Sequence, residues 1–172
     1  MAKLNKNCGY AVLELNQVAF PRDGRVEAQL PLDEDVFSAA KPAECGMILK
    51  VDKVNGKITL PSDSEDGFDT YALNYTTEHM YDERTPQLNA YATFPGEFYP
   101  RLGYLSVGDR FTTNCVADDY DVDYLVTAGT DGYWIKYGET NAVSNAPIAR
   151  VVEKTTCPNG VDPAVKLMVV KA

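Results

Sequence analysis

The chain reads as a mainly β protein. A small barrel or sandwich is expected in the C-terminal half, with hairpins and an extended arm in the N-terminal half. Three observations predict this. Short apolar runs with period-2 alternation recur along the chain, as in "RVEAQLPL", where Val26, Ala28 and Leu30 share one face and Arg25, Glu27 and Gln29 the other. Turn-forming clusters punctuate them: "PRDG" at Pro21–Gly24, Asn55-Gly56, Asp131-Gly132 and "CPNG" at Cys157–Gly160. Helical periodicity is confined to a single candidate, Thr76–Glu83, capped by Thr76 or Thr77.

The elements follow in order. "YAVLELNQVAF" and "RVEAQLPL", separated by "PRDG", predict a first hairpin. In "GMILKVDKVNGKITL", Ile48, Val51 and Val54 lead into Asn55-Gly56, and Ile58 and Leu60 lead out. Asn-Gly between β-branched runs predicts a two-residue type I′ turn. The acidic stretch "PSDSEDGFD" reads as an exposed loop or linker. "YDVDYLVTAGTDGYWIKYGE" reads as two strands about Gly129–Gly132, and "APIARVVEKTT" and "PAVKLMVVKA" as a closing pair. The expected division is an arm with hairpins over residues 1–61, a tyrosine-rich irregular segment over 62–99, and the barrel or sandwich over 100–172.

Charge narrows the function classes. A formal net charge of -9 argues against a nucleic-acid surface, which needs clustered Lys and Arg. No stretch approaches the roughly 18–20 consecutive apolar residues of a spanning helix, so no membrane partner is expected. The opening "MAKLNKNCGY" has lysines without an apolar core, which predicts no secretory signal and folding in a cytoplasm. Cys8, Cys45, Cys115 and Cys157 form no CxxC pair and read as reduced, packing thiols.

Catalytic signatures are lacking. The single histidine, His79, sits in "TTEHMYDER" without a nucleophile elbow and reads as a surface side chain. Two acidic groups, Asp118, Asp119, Asp121 and Asp123, and Asp63, Glu65, Asp66 and Asp69, offer oxygen ligands for a hard cation. Neither has the EF-hand spacing, and both read as solvated loops. No carboxylate pair stands out for glycoside hydrolysis. No catalytic residue, cofactor or metal is therefore expected.

Aromatics remain. Eleven tyrosines supply large amphipathic contact area, which suits interfaces. Tyr75, Tyr81, Phe98 and Tyr99 in the irregular middle are candidate partner contacts, as are Val12, Leu13, Leu15, Val18 and Phe20 on the apolar face of the arm. "GEFYPRLGYLSVGDRFTTNCV" packs four aromatics around Pro100, Gly103 and Gly108 before a strand, and is expected to dock the middle segment on the barrel.

"PRLGYLSVGDRFTTNCV", followed by "ARVVEKTT" and "DPAVKLMVVKA", resembles structural proteins of tailed bacteriophages, of the head-decoration or minor capsid type. The resemblance covers mainly Pro100–Ala172. It implies a non-enzymatic protein on the capsid surface, made in the host cytoplasm, with the major capsid protein and copies of itself as partners. A tail or fibre adaptor and a carbohydrate-binding module are the alternatives.

Overall fold

The computed structural model describes residues 9–63, 69–76, 92–97, 99–157 and 160–172. The protein is mainly β. Its strands are β1 (Leu13–Gln17), β2 (Val26–Glu27), β3 (Ala43–Glu44), β4 (Ile48–Asp52), β5 (Lys57–Thr59), β6 (Tyr71–Asn74), β7 (Ala92–Thr93), β8 (Leu102–Gly103), β9 (Arg110–Thr113), β10 (Leu125–Ala128), β11 (Trp134–Lys136), β12 (Ile148–Thr156) and β13 (Pro163–Lys171). A four-residue helix, α1 (Phe20–Asp23), follows β1. The strands form an antiparallel six-stranded sheet ordered β1-β9-β13-β12-β10-β11 and a five-stranded sheet ordered β2-β8-β6-β4-β5. A small β3-β7 pair completes the set.

The two sheets pack as a sandwich. Ile48, Tyr71 and Leu73 of the smaller sheet meet Phe111, Val126, Trp134, Val151 and Leu167 of the larger in one buried cluster. The opposite face of the smaller sheet is covered as well. Leu49, Val51, Ile58, Ala72 and Leu102 pack there with Leu32 and Phe37. Neither sheet closes into a barrel. A parallel bridge between Val116 and Trp134 draws the chain beyond β9 along the far edge of β11.

Strands are exchanged between the two halves of the sequence, so the sheets do not divide at residues 61 and 99. The segment expected as an extended arm supplies β1, which pairs with β9 from Leu13↔Thr113 to Gln17↔Arg110. Conversely, Leu102–Gly103 lies between β2 and β6 in the smaller sheet. The first expected hairpin does not form, because β1 and β2 belong to different sheets. "PRDG" instead supplies most of α1, with Pro21 in its first turn and Gly24 closing it in the left-handed conformation. Phe20, at the head of that helix, packs its ring where a side chain on Gly103 would stand; a Cβ there would lie 2.3 Å from the ring.

The other hairpins hold. β4 pairs with β5, β10 with β11, and β12 with β13. The β4–β5 turn is longer than expected. Asp52 pairs with Lys57, leaving Lys53–Gly56 as a four-residue loop. Asp52 organises it by accepting the Val54 and Asn55 N–H groups at 3.1 and 2.9 Å and the Asn55 side-chain amide at 2.7 Å. Val54 is at the exposed tip rather than in the strand.

Candidate functional site

Among the described residues, one cleft combines buried ionisable groups with open volume. It encloses about 420 Å³ and is lined by Lys41, Pro42, Glu44, Met47, Asp131 and Tyr133, among others. β3 brings Glu44; the β10–β11 turn brings Asp131; Tyr133 immediately precedes β11. Glu44 and Tyr133 are both buried. The Tyr133 hydroxyl donates to Glu44 Oε1, and the Ala11 N–H donates to Glu44 Oε2 at 2.6 Å. Asp131 Oδ1 accepts the Tyr133 N–H at 3.2 Å.

The chemistry of this pair is that of a clamp. Burial raises the Tyr133 phenol above its ordinary range, with Cys115 and the Glu44 bond acting in the same direction. General acid–base work at neutral pH needs a group poised near the working pH, and Tyr133 is displaced the other way. The phenol stays protonated and donates. Glu44 thereby ties Ala11, just before β1, to the head of β11.

Other buried polar groups act similarly. Asp109 accepts the Ala19 N–H at 2.9 Å and the Ser106 N–H at 2.8 Å. Asn74 donates to the Glu44 carbonyl at 2.9 Å and accepts the Thr76 hydroxyl at 2.8 Å. Trp134 Nε1, on the edge strand β11, donates to the Gly46 carbonyl in the turn before β4 at 3.0 Å. Tyr71, its phenol raised by burial and by Asp69, donates to the Ser62 carbonyl at 2.8 Å.

The residues singled out from sequence are placed as follows. Val12, Leu13 and Phe20 are buried within the chain's own core, because β1 is paired and α1 is packed. Val18 and Tyr75 are half-buried against that core. Leu15 and Tyr99 are exposed. Tyr81 and Phe98 lie outside the described residues, as do His79, Cys8 and most of the candidate helix. Cys45, Cys115 and Cys157 are buried. Beside Leu102–Gly103 the Tyr75 N–H donates to the Arg101 carbonyl at 2.9 Å and the Arg101 N–H to the Thr76 hydroxyl at 2.6 Å, extending the β6–β8 pairing of the smaller sheet.

In the acidic loop, Asp119 and Asp121 lie 2.9 and 3.4 Å from Lys154, and Asp123 lies 3.4 Å from Arg150. Asp63 accepts the Ser144 N–H at 2.9 Å, and Asp69 pairs with Lys50 at 2.5 Å. Among the described residues, no three His, Cys, Asp or Glu side chains are grouped to hold a metal ion. No helix among them is long and apolar enough to cross a membrane.

Sequence reasoning missed Glu44 and Tyr133. "AECGM" has no periodicity to mark a buried acid, and Tyr133 was visible only as the residue after an Asp-Gly turn. No family model, no curated protein and no solved structure matches this chain.

Proposed function

We propose that the chain is a non-enzymatic structural protein of a tailed-phage virion. It attaches to a shell built from the major capsid protein and decorates or cements it. The observation that carries this reading is the use made of the buried polar groups. Glu44, Asp109 and Asn74 bond to backbone groups that join separate segments, and Tyr133 is held protonated. Interior polarity serves rigidity, as suits a protein whose work is to hold its surface in shape. The resemblance of Pro100–Ala172 to head-decoration proteins supports the same reading.

The exposed side chains available for docking include Tyr99 and Val107. Co-sedimentation of the full chain with shells lacking their native copy tests the proposal. Saturable binding, weakened at least tenfold by Tyr99→Ser with the fold unchanged, is the expected result. Glycan binding at micromolar affinity without shell binding would contradict it and favour a carbohydrate-binding module.

A further inference from the structure

The turn between β4 and β5 carries a reactive dipeptide. Asn55-Gly56 closes the Lys53–Gly56 loop, and Asn55 is exposed. Gly56 has φ +67° and no side chain to hinder its nitrogen; the space where a Cβ would stand is open to 4 Å. Asn is a thermolabile residue, and a following Gly leaves it most open to deamidation, because the bare backbone nitrogen reaches the side chain unobstructed. The Gly56 nitrogen, having lost its proton, attacks Asn55 Cγ. A C–N bond forms, the Cγ–Nδ2 bond breaks, and the nitrogen takes up a proton and leaves as ammonia. A five-membered succinimide remains. Water then opens the ring at either carbonyl, giving aspartate or isoaspartate.

In the folded chain this reaction meets an obstacle. The Asn55 N–H donates to Asp52 Oδ1 at 2.9 Å, and Asn55 Nδ2 donates to Asp52 Oδ2 at 2.7 Å. One carboxylate therefore fixes the backbone and the side chain of Asn55 together. Ring closure requires the carboxamide to turn its face to the Gly56 nitrogen, which breaks the contact with Oδ2. The Asn55 bonds also hold the Asp52 carboxyl below its ordinary value. It is charged at neutral pH, and its charge opposes the loss of the Gly56 proton that starts the attack. We propose that Asn55 is a latent deamidation site that Asp52 keeps closed while the β4–β5 turn is folded. Conversion is one-way. A carboxylate would then stand where the amide donated to Asp52, and isoaspartate would add a carbon to the backbone of the loop. This inference stands independently of the virion proposal.

Incubation of the full chain at mildly alkaline pH, followed by peptide mapping, tests it. The change in mass from amide to acid is read at Asn55, and separately at Asn159 of the chain's other Asn-Gly pair. The folded chain should deamidate at Asn55 about tenfold more slowly than the same chain unfolded in guanidinium chloride, the effect expected of one hydrogen bond to a charged group. Asp52→Ala, shown to be folded by circular dichroism, should bring the folded rate most of the way to the unfolded one. If that variant does not fold, Asp52→Asn, which keeps one acceptor oxygen, should raise the rate in part. A folded rate equal to the unfolded one overturns the proposal. So does a folded Asp52 variant that deamidates no faster than the wild-type chain.

Discussion

The two sheets differ in how much of their burial is local. In the larger sheet β12 and β13 are nine residues each and pair with one another, and β13 alternates buried and half-buried positions from Val165 to Val170. In the smaller sheet β6 is buried throughout, because it has cover on both faces. β2 and β8 are only two residues long and lie far apart in the sequence. The larger sheet contains two hairpins, β12–β13 and β10–β11, beside the long-range pairings of β9 with β13 and with β1. The smaller depends on segments far away in sequence, above all α1 and the Pro31–Asp33 strap bonded to Ile58 of β5. The smaller sheet should therefore be more sensitive to single changes at those remote contacts.

Phe20→Ala is expected to have the largest effect. Phe20 is fully buried, lies 5.0 Å from the Tyr75 ring and fills the space above Gly103. Its loss should cost about 3–5 kcal/mol in urea unfolding. Gly103→Ala inserts a methyl group into the same ring from the opposite side and should cost about 1–3 kcal/mol. A smaller loss in both would mean that α1 is not a support of β8.

Glu44→Ala sharpens the comparison at the cleft. It removes the acceptor of the Ala11 N–H and of the Tyr133 hydroxyl, so about 1–3 kcal/mol is expected for each donor left without it. Tyr133→Phe should cost less than Glu44→Ala, since it removes only one of those two bonds. Equal costs would place the stability in Tyr133 rather than in the clamp.

Alkaline pH addresses both sheets together. Burial raises the phenols of Tyr71, Tyr75, Tyr120 and Tyr133 above the ordinary value of 10.0. A raised folded-state value means that the unfolded chain loses its protons first. The stabilisation is present in full below pH 10.0 and is lost as the pH rises towards the folded values. Unfolding free energy should fall steeply above that pH, and Tyr133→Phe should flatten the fall. A flat profile up to about pH 11–12 would contradict these burials.

At the bottom of the scale is Val54→Ser. Val54 is 95% exposed at the β4–β5 tip, so the change should stay within about ±0.5 kcal/mol.

What was legible follows the same contrast. The final hairpin and the β10–β11 hairpin announce themselves through alternation and turn residues. The β4–β5 pair does too, although Asn55-Gly56 suggested a tighter turn than Asp52 builds. The destination of β1 was not legible. "LELNQ" has the pattern of a half-exposed strand, but nothing local says that its partner is Arg110–Thr113. β2, β3, β7 and β8 are too short for any period to register. The candidate cleft was hidden for a related reason. Glu44 and Tyr133 are 89 positions apart and meet only in the tertiary packing.

The strand exchange is the central claim, and native-state hydrogen exchange of the full chain tests it most directly. If the exchange of β1 and β8 between the two halves of the sequence makes the sheets one cooperative unit, the amides of Ile48–Asp52 and of Ile148–Thr156 should open with the same free energy and the same denaturant dependence. If Ile148–Thr156 stays protected while Ile48–Asp52 exchanges through a separate, lower-energy opening, the C-terminal strands form an independent domain and the account is wrong.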